Sequence, residues 1–262
     1  MSQPLANRRI LVTRGVSQAS KLSDGLRELG AIPVEVSVLE IVPPTSYEPL
    51  DEALRNLAQY DWLILTSANA VRVLVERLAL VHPLLHGAAP PQMAAVAAIG
   101  AATAEAARDA GLQVALTPKE YVAESLVAEL KDQIAGKRVL LARAAVARDI
   151  IPDALRAAGA TVDIVDAYRN ILPAAAPQQL RRAYALGIDA VTFTSSSSVL
   201  HLAEAAQAAG LPFPFRNVAA ISIGPITSQT LRDLNWPPAA EADPHDIPGL
   251  VAAVVRHFAP TS

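Results

Sequence analysis

Short apolar runs alternate along this chain with longer stretches whose apolar positions recur every three or four residues. The first pattern marks buried strands and the second amphipathic helices. Ile10–Thr13 reads as a strand. Ser17–Leu29 reads as a helix with Leu22, Leu26 and Leu29 on one face, stopped by Gly30. Ile32–Leu39 is a second strand and runs into Glu40–Pro44. A helix at Leu50–Leu57, a strand at Trp62–Thr66 and a helix at Val71–Leu80 follow, with Pro83–Pro91 as a loop. Ala94–Ile99 is then a strand, Thr103–Ala110 a helix ended by Gly111, and Val114–Leu116 with Ala123–Ile134 a further strand and helix. This alternation predicts an α/β fold whose mainly parallel sheet carries helices on both faces.

The pattern then begins again. Val139–Ala142 followed by Arg143 repeats Ile10–Thr13 followed by Arg14, and Asp153–Ala160 repeats Asp24–Ala31. Asp189–Ser195 repeats Asp61–Ser67, Ile223–Thr227 repeats Ile99–Thr103, and Leu250-Val-Ala repeats Leu126-Val-Ala. The period of about 124–129 residues is a domain duplication, since solenoid repeats run to roughly 20–50. Flanked on both sides by repeated segments lies Val165–Pro173. It reads as the end of a strand entering an extended connection, because Pro173 fixes its own φ and pushes Leu172 toward β or polyproline geometry. Tyr168 stands in its middle, with a ring that can pack and a hydroxyl that needs a partner.

Composition narrows the function. A chain of 262 residues can bury one large core or two ordinary ones, and 52% hydrophobic with 18% charged residues describes a folded globular protein. The net charge of −3 supplies no global field for nucleic acid. The absence of cysteine excludes disulfides, thiol catalysis and cysteine-ligated metals. The five histidines form no ligand cluster: His82 and His86 are spaced for a helix, but Pro83 separates them and no Glu follows His82. No Gly-x-Gly-x-x-Gly follows a strand, and Ser195–Ser198 lacks the Gly-x-Ser-x-Gly elbow. Met1–Arg9 has no apolar leader core and no run is long enough to span a bilayer, so the default is a soluble cytoplasmic protein. No metal, cofactor, membrane or nucleic-acid partner is expected.

Candidate chemistry sits where strands end and helices begin. Thr66 and Ser67 in the first copy correspond to Thr194, Ser195 and Ser197 in the second, and Gly100 and Thr103 correspond to Gly224 and Thr227. In a parallel sheet these junctions lie at the carboxyl ends of strands, where open α/β folds bind ligands. The free N–H groups and dipole of a helix N-terminus suit a carboxylate or phosphate. Taken singly, each Ser or Thr is as well explained by N-capping. Arg14 and Arg143 close the first strand of each copy, with Lys21 and Arg148 following; their bland reading is solvated charge. Asp149, Asp153, Asp163 and Asp166 read as solvated faces.

The combined pattern resembles the uroporphyrinogen-III synthase family over nearly the whole chain. It is carried by Leu11–Arg14, Asp61–Ser67 with Ala70-Val71, Ile99-Gly100, Val165–Arg169, Phe193–Ser195 and Ile223–Thr227. Ala101 and Gly15 depart from it, each standing where the family often has proline. The resemblance implies two flavodoxin-like domains around a cleft: Met1–Val38 with Ala174–Ser262, and Pro43–Ala167. Leu39–Val42 and Tyr168–Pro173 would be the crossings. It further implies a monomeric, cofactor-free hydro-lyase that cyclises hydroxymethylbilane, a linear tetrapyrrole with eight carboxylates, inverting its last ring. The upstream hydroxymethylbilane synthase is the partner it suggests. On this resemblance Tyr168 faces the cleft as general acid, protonated at neutral pH. Thr227 binds carboxylate and, as a cap, supports its helix. The rival reading is a two-lobed small-anion binding protein without catalysis.

Overall fold

A computed structural model describes residues 3–13, 16–82, 94–118, 123–147 and 149–259, so the loop expected at Pro83–Pro91 lies outside the described residues. The chain forms two compact units, residues 1–40 with 171–262, and residues 41–170. In chain order, β1 (Arg9–Val12), α1 (Val16–Glu28), β2 (Ile32–Glu35), β3 (Glu40–Val42) and α2 (Glu48–Arg55) come first. They lead to β4 (Trp62–Leu65), α3 (Ala68–Val81), β5 (Ala95–Ala98), α4 (Ala101–Asp109), β6 (Val114–Leu116) and α5 (Ala123–Ile134). Next come β7 (Arg138–Ala144), α6 (Ile150–Ala157), β8 (Thr161–Ile171), α7 (Ala176–Ala185) and β9 (Ala190–Phe193). The chain closes with α8 (Ser196–Ala209), β10 (Ala219–Ser222), α9 (Pro225–Asp233), β11 (Ala240–Glu241) and α10 (Ile247–Phe258).

The sheet of the first unit runs β11-β10-β9-β1-β2, and its strands pair in parallel. Numbered within the unit, this is the doubly wound order 2-1-3-4-5. The second sheet runs β3-β8-β7-β4-β5-β6. With β7 and β8 in the first two positions, its five parallel strands repeat the same order, and β3 is added at the edge. The chain passes between the units at Glu40/Ile41 and Asn170/Ile171, inside β3 and at the end of β8.

Both faces of each sheet are covered, which is why the central strands read as unbroken apolar runs. Alternate residues serve opposite cores. Leu11, Val191 and Phe193 pack with Leu180, Leu202 and Trp236, whereas Ile10 and Val12 pack with Leu22, Leu26, Leu250 and Val254. In the second unit Leu63, Leu65 and Leu140 meet Leu50, Leu54 and Leu74, while Ile64, Val139 and Leu141 meet Leu126, Leu130 and Leu155.

Element ends differ from the sequence reading where local hydrogen bonds decide. Helix α3 starts at Ala68, earlier than Val71, because the Ser67 hydroxyl accepts from Ala70 N at 3.1 Å. Strand β2 stops at Glu35, short of Leu39: Val36 and Val38 stay buried, but Ser37 turns its hydroxyl onto Leu39 O at 3.0 Å. The acidic residues are also more engaged than solvated faces would be. Asp163 accepts from the Tyr60 hydroxyl at 2.9 Å and from Arg138 Nη2 at 2.9 Å. Burial, then that bond to Asp163, pushes the Tyr60 phenol up to about 12.

One further device is duplicated. Asp61 Oδ2 accepts from Arg138 N at 2.9 Å and its Oδ1 from Lys137 Nζ at 2.9 Å. Asp189 Oδ2 accepts from Arg9 N at 2.8 Å and its Oδ1 from Arg8 Nη1 at 3.1 Å. In each unit a carboxylate before one central strand thus pins the first residue of its neighbour, fixing their register at the end remote from the candidate site.

Candidate active site

In the order 2-1-3-4-5 the chain reverses direction of winding between positions 1 and 3, and a crevice opens outside the strand carboxyl ends there. In the second unit those strands are β7 and β4, ending in Arg143 and in Thr66 and Ser67. Arg143 is the opposite of a surface charge: its side chain is only 11% exposed and its Nη2 donates to Asp149 Oδ1 at 2.6 Å. This pairing also corrects the reading of Asp149 as merely solvated. Thr66 and Ser67 are half-buried.

Strand β8, beside β7, brings Tyr168 to the same end. Register between β7 and β8 shifts by one residue, with Arg143 opposite Asp166 but Ala144 opposite Tyr168. Regular alternation would place Ala167 and Tyr168 on opposite faces. The bulge turns both toward the core that holds Leu65, Leu140 and Val165. Tyr168 is consequently 7% exposed, and its hydroxyl lies 3.0 Å from Ser67 Oγ. Ser67 already accepts from Ala70 N, so its own proton is free to point at Tyr168 Oη. The chain of bonds then runs from the first turn of α3 through Ser67 to the phenol.

The four helix starts divide into two kinds. Serine closes two of them: Ser67 on α3, and Ser195 on α8, where Ser195 and Ser198 form a reciprocal capping box. Thr194 precedes that box and Ser197 lies within it, both half-buried. The other two start on glycine with no side-chain cap, Gly100 on α4 and Gly224 on α9. Gly100 has φ 89°, a conformation that side chains resist. Thr103 and Thr227 occupy the third helical position, 5% and 4% exposed, and neither hydroxyl has a partner among the described residues. Thr227 is therefore not the cap expected of it; Gly224 holds that place, and the N–H groups of Ile226 and Thr227 lack an intrahelical acceptor. Arg14 and Arg148 lie outside the described residues.

The second uncapped start carries polar support that sequence inspection missed. Ser222 and Ser228 hydroxyls meet at 2.6 Å behind α9, and Ser228 also bonds Glu241. Thr230 Oγ1 donates to Ser196 Oγ at 2.7 Å, tying α9 to the first turn of α8. These residues are scattered over four elements, so no local motif announces them. Among the described residues no group of three or more His, Asp or Glu is placed to hold a metal, and no helix is long and apolar enough to cross a membrane.

Comparison with known proteins adds to this geometry. A family model described as uroporphyrinogen-III synthase HemD matches residues 20–252. A uroporphyrinogen-III synthase of Synechococcus elongatus is 36% identical over 260 residues, covering 96% of each chain. Among solved structures, a mutant uroporphyrinogen III synthase from Thermus thermophilus superposes with a TM-score of 0.67 at 21% identity, covering 96% of this chain and 98% of that one. A uroporphyrinogen-III synthetase from Helicobacter pylori gives 0.60 at 19% identity, covering 95% and 99%.

Proposed function

This chain belongs to the uroporphyrinogen-III synthase family, and we propose that it cyclises hydroxymethylbilane to uroporphyrinogen III with inversion of ring D and loss of water. Within the molecule, the observation that carries this reading is the pair of glycine-led helix starts, α4 and α9, each with open N–H groups and a threonine, 5% or 4% exposed, whose hydroxyl has no partner among the described residues. They suit a substrate that is rich in carboxylates.

Free hydroxymethylbilane closes without inversion to the type I isomer, so the catalytic task is to favour attack at the substituted carbon of ring D. Holding a flexible chain in one near-attack arrangement contributes at most about 7–11 kcal/mol. Each helix start adds about 0.3–1 kcal/mol for a bound carboxylate, up to about 2 when partly buried. Micromolar affinity needs about 8 kcal/mol in total, of which the two uncapped starts supply at most about 4, so the hydroxyls and arginines around them must contribute the rest.

Loss of the substrate hydroxyl requires a proton. Tyr168 is positioned to supply it only if its own O–H points to the substrate and Ser67 donates to Tyr168 Oη. The Ala70 N–H to Ser67 bond favours that polarity, and the dipole of α3 stabilises negative charge gathering on the phenol oxygen. Thr66, Gly100, Thr103 and Arg143 in one unit, and Thr194, Ser195, Ser197, Gly224 and Thr227 in the other, bind and orient carboxylates in this scheme, with Arg14 and Arg148 joining by sequence. One chain carries both copies, so a monomer suffices, and hydroxymethylbilane synthase is the enzyme expected to feed it.

The test is to supply freshly generated hydroxymethylbilane, oxidise the products and separate uroporphyrin isomers. Type III is expected to dominate. A product mixture matching the protein-free control, chiefly type I, would overturn the reading.

A further inference from the structure

His245 lies on the loop from β11 to α10, at the carboxyl edge of the first unit's sheet. Glu241 at the end of β11 is in register with Ser222 at the end of β10. Bonds along its length fix the loop. Ala242 N donates to Ser222 O at 2.9 Å, Asp246 N to Pro244 O at 2.9 Å, and Gly249 N to Asp246 Oδ1 at 2.7 Å. Pro244 O comes so near Gly249 that a Cβ there would stand 1.9 Å from it. No other residue fits.

Within this frame His245 Nδ1 lies 2.8 Å from Ala242 O, which makes Nδ1 the protonated nitrogen and leaves Nε2 without a partner among the described residues. The imidazole rests on Gly224, where a Cβ would begin 3.3 Å from the ring. Gly224 is the uncapped start of α9, whose first turn holds the 4%-exposed Thr227 with its partnerless hydroxyl. A ring with one open nitrogen thus rests, through its Cγ and Nδ1, on the glycine that begins α9, and that helix start has open N–H groups and a hydroxyl without a partner among the described residues.

We propose that His245 is a substrate-binding residue that contacts, through Nε2, the carboxyl group of a substrate held at the start of α9; this rests on the synthase reading above. Nearby carboxylates do not take its place as partner: Asp246 caps α10, and Glu241 is bonded by Ser228. The neighbouring Gly224 then leaves the ring room, since a Cβ there would press on Cγ at 3.3 Å while its own φ of 173° is ordinary extended backbone.

Two variants test this, His245→Phe, which keeps a flat ring on Gly224, and His245→Arg, which restores a cationic donor. With hydroxymethylbilane as substrate, His245→Phe is expected to raise KM about fivefold, the upper end for an ion pair at an exposed site. Its kcat and type III share should stay at wild-type values, with no more than the small fall in melting temperature expected from losing the Nδ1 bond to Ala242 O, and His245→Arg should bring KM back to near wild type. An unchanged KM in His245→Phe would overturn the proposal. So would a raised KM that His245→Arg does not recover, which marks a structural role. A wild-type protein yielding only type I isomer would instead strike down the functional reading, and this one with it.

Discussion

Replacing Tyr168 by Phe separates its two roles. The ring is 7% exposed and packed in the second unit's core, so Phe keeps the buried surface and removes only the hydroxyl bonded to Ser67 at 3.0 Å. One neutral hydrogen bond contributes about 0.5–1.5 kcal/mol, and Ser67 retains its cap on Ala70 N, so a stability loss of about 1 kcal/mol is expected. Losing a general acid costs about 10²- to 10⁴-fold in rate. The variant should therefore fold and lose at least about 100-fold in turnover, far beyond what about 1 kcal/mol of stability explains. Isomer-resolved initial rates, with urea unfolding followed by fluorescence of the buried Trp62, read both quantities. Ser67→Ala sharpens the test: if Ser67 acts through Tyr168, adding it to Tyr168→Phe should lower turnover no further. A Tyr168→Phe enzyme within about tenfold of wild-type turnover would refute general-acid catalysis by Tyr168. An additive effect of Ser67→Ala would refute the relay.

Thr227→Ala should leave stability within about 0.5 kcal/mol, because the hydroxyl caps nothing, while raising KM for hydroxymethylbilane; a stability loss typical of a lost cap, about 1 kcal/mol, with unchanged kinetics would reverse that assignment. Arg77→Leu should cost about 3 kcal/mol in urea unfolding at pH 7, since Arg77 makes a two-point pair with Asp51, which is 6% exposed. The Arg77 hydrogen bond, foremost, holds the Asp51 carboxyl below the usual range. A depressed folded value stabilises above the unfolded pKa, so the wild-type advantage over Asp51→Asn should be full at neutral pH and fade as pH falls through about 4 and below. An advantage that grows on acidification would contradict the pairing. Gly249→Ala should destabilise α10 and its preceding loop, read as a lowered melting temperature of the first unit by Trp236 fluorescence, because the added carbon meets a backbone oxygen at 1.9 Å.

Much of the fold is legible in the chain because both copies keep their apolar strands and their leading Asp. Leu63 to Leu65 and Val191 to Phe193 bury both faces, and a strand so placed tolerates few substitutions. The equivalence of Asp61 and Asp189 reflects the same register-setting bond twice over. The site is less legible. Whether a junction hydroxyl caps its own helix depends on where that helix begins: Ser67 stands at the N-cap of α3 and Thr227 at the third position of α9, a difference the residue types do not betray. The bulge that turns Tyr168 inward leaves no mark, since Ala167 and Tyr168 suit either face. Strand β11 covers only Ala240 and Glu241, too short for a periodic signal, so the loop carrying His245 has no anchor in the pattern.

The two passes of the chain between units make the molecule asymmetric in time. Residues 41–170 are contiguous and can close their sheet as soon as β8 has left the ribosome. The other unit cannot. Strand β1 pairs with β9, so Leu11 faces Val191 across nearly the whole intervening chain. Until that partner is made, β1, β2 and α1 hold an apolar surface with half its cover missing, the condition in which nascent chains aggregate or recruit chaperones. Translation of the inner unit thus sets the waiting time of the outer one, and slow codons within it would lengthen the exposure of β1 while leaving the finished protein unchanged.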